Sequence, residues 1–91
     1  MTGRPYRVGW TPPAQRDVAR LPGKVATAVL NYVDHRLSEN PQRLSKPLVG
    51  ELSGCRSARS GDYRALIRLD DADEMIWILA IDHRAHAYRA R

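Results

Sequence analysis

Residues 57–71 read SARSGDYRALIRLDD, and the alternation inside this stretch decides the fold class. From residue 62 to residue 69 the side chains fall into two alternating sets, which predicts a β-strand with two different faces. The apolar set is Tyr63, Ala65, Ile67 and Leu69. The set that carries arginines is Arg64, Leu66 and Arg68. Arginine is a poor choice for a strand that only needs packing. We therefore expect the second face to meet a partner.

The stretches on either side extend this strand into a sheet. Residues 51–59 predict a weaker strand, joined to the first through a turn at Ser60 and Gly61. Residues 70–74, DDADE, predict a polar hairpin tip. Residues 75–81, MIWILAI, are apolar at every position, which predicts a central strand covered on both faces. The three strands together form an antiparallel meander.

The first half of the chain has helical periodicity after a short strand at residues 6–10, YRVGW. Thr11 can cap a short helix that the Pro22–Gly23 break ends. Residues 25–37 keep helical spacing and predict a longer helix. Residues 41–50 read as a connector.

This order of elements predicts one α+β domain over residues 1–91: a strand, a helical hairpin and a three-stranded antiparallel meander. We expect the helices to cover one face of the sheet, and the arginines to lie on the other.

The charge of the chain favours a polyanionic partner. The net charge is +5, and 13 of the 15 basic residues are arginines. The planar guanidinium group binds phosphate through two hydrogen bonds and stacks on bases, so nucleic acid is a reasonable partner. A GC-rich genome would also favour arginine codons, so the bias alone does not decide the function.

Other features concern the compartment. Cys55 is the only cysteine, which excludes an internal disulfide and favours a reducing environment. The first ten residues, MTGRPYRVGW, lack the apolar segment of a signal peptide, and no apolar run reaches about 20 residues. We expect a cytoplasmic protein without a membrane segment.

The predicted register brings a second arginine towards Arg64. Arg84 has the parity of Ile78 and Ala80 in the last strand. Antiparallel pairing across the tip would set Arg84 near the start of the strand that carries Arg64. Two converging guanidinium groups suit a phosphate.

Three side chains near Arg84 could transfer protons: His83, His86 and Tyr88. Simpler interpretations remain open, since Arg68 could be a solvated surface residue and Tyr88 could cover the sheet edge. His83 and His86 lack an obvious third ligand, so we expect no metal and no cofactor. The residues alone predict a basic α+β domain that binds an anion, RNA or DNA.

Residues 46–71, KPLVGELSGCRSARSGDYRALIRLDD, and residues 76–89, IWILAIDHRAHAYR, resemble the RelE branch of the RelE/ParE superfamily of bacterial type II toxins. The resemblance covers nearly the whole chain. It implies a ribosome-dependent endoribonuclease that cuts messenger RNA in the ribosomal A site without a metal. The 2′-hydroxyl of the messenger would be the nucleophile. A cognate antitoxin, RelB-like or of another type, would mask the site, and the toxin–antitoxin complex could bind operator DNA.

The resemblance also implies roles at matching positions. Arg64 would hold the scissile phosphate, Arg84 would stabilise charge on the phosphate and the leaving group, and Tyr88 would stack on a base or activate the 2′-hydroxyl. The basic residues expected to bind RNA are Lys46, Arg56, Arg59 and Arg68.

The pattern departs from some relatives at Cys55 and Ser57, where those relatives carry lysines as acid–base groups. Arginine is a poor general acid because its pKa exceeds about 12. His83 is then the nearby residue whose type titrates around neutral pH, and we count it among the catalytic candidates. Two alternatives stay open: a ParE-like inhibitor of DNA gyrase on the same fold, and an inactive relative that binds antitoxin or operator.

Overall fold

A computed structural model describes residues 5–83 of the chain. Its secondary structure comprises five strands, two helices and two short helical turns. The strands are β1 (Arg7–Trp10), β2 (Ser45–Pro47), β3 (Arg56–Ser60), β4 (Tyr63–Asp70) and β5 (Met75–His83). The helices are α1 (Pro12–Ala19) and α2 (Gly23–Tyr32), and the turns are a π-helical turn (Val33–Leu37) and a 3₁₀ turn (Gly50–Leu52). The predicted α+β fold is confirmed.

The five strands form one sheet in the order β1-β5-β4-β3-β2. The strands β3, β4 and β5 pair antiparallel in sequence, which confirms the meander. Strand β1 pairs parallel with β5, so the sheet is mixed. This parallel pairing follows from the helices, because a crossover of that length returns the chain in its original direction.

The connector differs from the prediction at both ends. Residues Ser45–Pro47 form β2, an edge strand antiparallel to β3. The strand expected over residues 51–59 begins only at Arg56, because Gly50–Leu52 forms a 3₁₀ turn. Gly50 and Gly54 have φ values of 73° and 92°, and this left-handed conformation interrupts a strand and favours glycine.

The helical hairpin covers one face of the sheet, as predicted. The core contains the helical residues Ala14, Val29, Val33 and Leu37 and the sheet residues Ala58, Ala65, Ile67, Ile76, Ile78 and Ile81. The longer predicted helix continues past Tyr32 as the π-helical turn, which buries Val33 and Leu37 completely. No helix within residues 5–83 is long and apolar enough to cross a membrane.

The opposite face of the sheet carries no helix among the described residues, and we call it the open face. Trp77 is 40 % exposed on it, whereas the neighbouring Ile78 is 0 % exposed on the helical side. The prediction that β5 is covered on both faces is therefore wrong. The apolar run of β5 reflects one buried face and one face with a partly exposed tryptophan.

A β-bulge in β5 corrects the predicted parity. Leu66 pairs with Ala80, but the next residue, Ile67, pairs with Ile78, so Leu79 is an extra residue in β5. Ile78 consequently faces the core, while Ala80 lies on the open face with Leu66. The prediction that Ile78 and Ala80 share one face is therefore wrong, and the position of Arg84 lies outside the described residues.

Two side chains at the start of the helical hairpin hold β5 beyond the end of β1. The Thr11 hydroxyl donates to the carbonyl oxygen of Ile78 at 2.8 Å and lies 3.3 Å from that of Leu79. Asp17 of α1 accepts a hydrogen bond from the Ile81 amide at 3.0 Å. The Ile78 carbonyl oxygen also accepts a hydrogen bond from the Thr11 backbone amide at 3.1 Å, so Thr11 continues the pairing at the end of β1, and Asp17 satisfies the Ile81 amide beyond it.

The connector is tied to the hairpin tip through Tyr6. The Tyr6 hydroxyl donates to Asp71 at 2.7 Å, and the Gln42 amide donates to the same carboxylate oxygen at 3.1 Å. The hydrogen bond to Asp71 raises the pKa of Tyr6 above its ordinary value, so the phenol stays protonated through the neutral range.

Candidate nucleic-acid interface

The register of the sheet decides which predicted site residues meet. Directly paired residues of neighbouring strands lie on the same face. The side chains that share the open face with Arg64 are Arg7, Lys46, Ser57, Arg59, Leu66, Arg68, Asp70, Met75, Trp77, Ala80 and Asp82. With Arg64 these twelve include five basic and two acidic residues, which makes the open face a cationic surface.

Arg59 and Arg64 form the centre of this surface because they pair directly across β3 and β4. Their Cβ atoms are about 5 Å apart by strand geometry. The Nε of Arg59 donates to the Gly61 carbonyl oxygen at 3.0 Å, which directs its side chain towards the β3–β4 turn. Among residues 5–83, no carboxylate lies within ion-pair distance of either guanidinium group. Two adjacent cations without a protein counterion can bind one phosphate.

Asp82 lies on the other side of Arg64, in direct register on β5. One of its carboxylate oxygens accepts a hydrogen bond from the His83 amide at 2.8 Å. Asp82 is not among the site residues predicted from the sequence, because the expected partner at this end of the strand was Arg84. The signal that could have found it is its place next to the histidine and arginine at residues 83–84.

His83 is not on the open face. It pairs with Tyr63, one residue out of step with Arg64, and the two rings meet edge to face with centroids 5.3 Å apart. Both rings line a cleft of about 440 Å³ between α1 and the end of β5, whose walls include Asp17 and Arg20. The structure thus places His83 and Arg64 on opposite sides of the sheet end, and a proton-transfer role for His83 remains a prediction.

Arg56 also points to the helical side of the sheet, with Ala58. Its Nε donates to the Ser45 hydroxyl at 2.7 Å, and its Nη2 donates to the carbonyl oxygens of Gln42 and Ser45 at 3.1 and 3.0 Å. This half-buried side chain fastens the connector to β3. The structure therefore separates Arg56 from the other predicted RNA-binding residues.

Arg68 and Lys46 do lie on the open face, and both are exposed. Arg68 follows Arg64 by four residues, a distance of about 13 Å along the strand. Its Nη2 lies 3.9 Å from the Sγ of Cys55, which is buried. Lys46 pairs directly with Ser57, so an ammonium group stands across from the position where some relatives carry a lysine.

The remaining predicted residues, Arg84, His86 and Tyr88, lie outside the described residues. Their roles stay predictions. Within residues 5–83, no three side chains of His, Cys, Asp or Glu are grouped so that they could hold a metal ion.

Comparison with known proteins agrees with this arrangement. Residues 8–88 match the family described as the ParE toxin of type II toxin–antitoxin systems, parDE. Two curated relatives come from Mycobacterium tuberculosis. Toxin RelG is 46 % identical over 85 residues, which are 93 % of this chain and 98 % of the relative. Toxin RelE is 45 % identical over 85 residues, which are 93 % of this chain and 88 % of the relative.

Solved structures share the fold. A chain of the RelBE2 toxin–antitoxin complex from M. tuberculosis has 44 % identity and a TM-score of 0.86, with 89 % of this chain and 100 % of that chain covered. A chain of the archaeal RelE–RelB complex from Pyrococcus horikoshii OT3 has 26 % identity and a TM-score of 0.70, with 92 % of this chain and 100 % of that chain covered. The family match covers most of the chain, and the curated relatives are nearly half identical to it. The chain therefore belongs to the RelE/ParE superfamily of toxins from type II toxin–antitoxin systems.

Proposed function

We propose that this toxin is a ribosome-dependent endoribonuclease that cuts messenger RNA in the ribosomal A site and so arrests translation. The observation that carries the proposal is the Arg59–Arg64 pair on the open face, which has no carboxylate partner within residues 5–83. The relatives named RelE and RelG, at 45 and 46 % identity, support the RelE branch of the superfamily.

The reaction is a transesterification within the messenger. The 2′-oxygen of one nucleotide bonds to the adjacent phosphorus while the bond to the 5′-oxygen of the next nucleotide breaks. The proton of the 2′-hydroxyl leaves to a base, and the 5′-oxygen gains a proton. The products are a 2′,3′-cyclic phosphate and a 5′-hydroxyl. Negative charge grows on the phosphate oxygens in the transition state, where Arg64 and Arg59 would stabilise it.

The proton transfers require other groups, because a guanidinium group does not titrate near neutral pH. Tyr88 and His83 keep their predicted acid–base roles, and Arg84 keeps its predicted role at the leaving group. Lys46 joins them as a candidate proton donor, since it stands opposite Ser57 on the open face.

The neighbouring structures were solved as complexes of RelE with RelB, which supports a cognate antitoxin as the partner of this toxin. We propose that the antitoxin covers the open face and that the complex can bind operator DNA. Activity on ribosome-bound messenger places the toxin in the cytoplasm.

The test is Arg64→Ala, with Arg64→Lys to separate charge from geometry. Arg16→Ala is the matched control, because Arg16 is an exposed arginine of α1 in the helical layer. In a purified translation reaction with end-labelled messenger, the wild type and the control should cut within codons only when ribosomes are present. Arg64→Ala should cut about 10²–10³ times more slowly, as expected for loss of one group that stabilises transition-state charge.

Two further results bear on the proposal. Chelation under conditions that keep the ribosomes intact should leave the cleavage rate unchanged, since we propose metal-independent chemistry. A wild-type protein that leaves the messenger whole but blocks supercoiling by gyrase would instead establish the ParE-like alternative.

A further inference from the structure

Trp77 is the largest apolar side chain that the open face exposes. It is 40 % exposed, although the residues on either side of it in β5 are completely buried. An exposed tryptophan keeps apolar area in contact with water, which is unfavourable compared with burial against a partner. The register that starts at the hairpin tip sets Trp77 opposite Arg68, and the bulge at Leu79 shifts the register only beyond this pair.

The Trp77 ring packs over Gly9 of β1. A methyl group at Gly9 would lie 2.4 and 2.6 Å from two carbons of the six-membered ring and 2.8 Å from the terminal carbon of Met75. The ring therefore fills the space that a side chain at residue 9 would occupy. Gly9 and Met75 support it from β1 and β5, and the exposed part of the ring faces away from the sheet.

Arg68 supplies a cation beside the ring without covering it. The two residues pair directly across β4 and β5. The Arg68 guanidinium, however, reaches 3.9 Å from Cys55, on the far side of β4 from Trp77. The aromatic ring and the guanidinium group thus share the open face with β4 between them, the ring lying over β1 and the guanidinium group directed towards β3.

This pair continues the surface that holds Arg59 and Arg64. Leu66 and Ala80 lie between the two sites, half-buried and without charge. The separation from Arg64 to Arg68 is about 13 Å, which is longer than one nucleotide. A strand whose phosphate sits at Arg64 can therefore reach Trp77 with a base of a nearby nucleotide.

We propose that Trp77 and Arg68 form a second subsite for single-stranded RNA, in which Trp77 stacks on a base and Arg68 binds the adjoining phosphate. This inference rests on the proposed function and adds a positioning site to it. The observations favour RNA over an acidic protein, because a single ring flanked by cations suits a base and its phosphate, whereas a protein partner needs a broader apolar patch. They favour a single strand, because the π-face of a base is inaccessible in a duplex.

Fluorescence gives a readout that does not depend on cleavage. The chain has two tryptophans, so Trp10→Phe leaves Trp77 as the only indole. Titration of antitoxin-free toxin with a 2′-O-methyl RNA oligonucleotide, which cannot be cut, should quench this fluorescence to saturation. A duplex of the same sequence and poly-glutamate should quench it little. Equal quenching by poly-glutamate would overturn base stacking in favour of a general polyanion or acidic-protein surface.

Variants separate stacking from packing. Trp77→Phe keeps an aromatic ring, and Trp77→Leu keeps apolar volume without a π-face. Trp77→Leu loses one base-stacking contact, so its affinity for the oligonucleotide should be about tenfold or more below that of the wild type. The affinity of Trp77→Phe should lie between the two. Circular dichroism checks that each variant is folded. Equal affinity of wild type and Trp77→Leu would overturn the subsite.

Cleavage kinetics separate this inference from the proposed function. On ribosomes, Trp77→Leu should raise KM more than it lowers kcat, whereas Arg64→Ala should lower kcat. If the wild type cuts and Trp77→Leu has the same KM, the subsite is wrong and the nuclease stands. If the wild type does not cut but the oligonucleotide still quenches Trp77, the proposed function is wrong and the subsite stands.

Discussion

Arg59 and Arg64 oppose each other across β3 and β4, so two positive charges lie in direct cross-strand register. Like charges in direct cross-strand register are destabilising. Neither guanidinium group forms an ion pair within residues 5–83, although the Asp82 carboxylate lies in direct register with Arg64 on β5. A binding site for a phosphate explains why such a pair exists, because the bound anion supplies the missing counterion.

This repulsion predicts that Arg59→Thr stabilises the free toxin while it weakens function. Removal of the like-charge pair should raise the free energy of unfolding by about 0.2–1 kcal/mol, and threonine suits a strand. Affinity for RNA should fall, since one phosphate contact is lost. The coupling between the two arginines is measured by urea unfolding of four proteins: the wild type, Arg59→Thr, Arg64→Ala and the variant that carries both substitutions. A coupling of zero, or a stabilising one, would show that the guanidinium groups do not repel each other.

At this scale the sequence predicted the faces of β4 correctly, because its alternation is unbroken from Tyr63 to Leu69. It did not predict the three hydrogen bonds of Arg56 to the connector, which depend on β2. That strand has only three residues and leaves little pattern to detect. The sequence did not predict that His83 pairs with Tyr63 and so lies one residue out of step with Arg64, and its proton-transfer role stays a prediction.

At the scale of elements, β5 controls what the open face presents. Its apolar run fits either parity, so the sequence carries no register signal over residues 75–81. The helices, the meander and their order were predictable from periodicity and turn residues. The bulge and the parallel β1 pairing were not, because both depend on contacts with residues more than 60 positions away, such as those of Thr11 and Asp17.

Thr11 is therefore expected to stabilise the bulge. Thr11→Val keeps the side-chain shape but removes the hydroxyl that donates to the Ile78 carbonyl. Loss of this hydrogen bond should lower the free energy of unfolding by about 0.5–1.5 kcal/mol. Thr27→Val is the matched control, because Thr27 is an exposed threonine of α2. The free energy of unfolding of both variants is measured in urea. If Thr11→Val were as stable as Thr27→Val, the Thr11 hydroxyl would not stabilise the bulge.

For the whole molecule, the net charge of +5 is less informative than its distribution. Lys46, Arg59, Arg64 and Arg68 share one face of the sheet, and the helical hairpin covers the other. A surface on which one sign of charge predominates attracts an oppositely charged partner from a distance and orients it. An antitoxin segment that masks this face should accordingly be acidic, and it should compete with RNA for the same cations.

Masking of the open face predicts a specific salt dependence for the assembly with the cognate antitoxin. Electrostatic steering makes the association rate fall as ionic strength rises, on the order of tenfold between low and physiological salt. Arg64→Ala and Arg68→Ala should each lower the rate at low salt and flatten its salt dependence. Arg16→Ala removes the same charge from the helical layer and should have less effect. Stopped-flow mixing of purified toxin and antitoxin at several salt concentrations measures these rates. If Arg16→Ala flattened the salt dependence as much as the open-face variants, the antitoxin would be attracted to the toxin's overall charge or to the helical layer. Inhibition of the nuclease would then have to act through the fold rather than by covering the arginines.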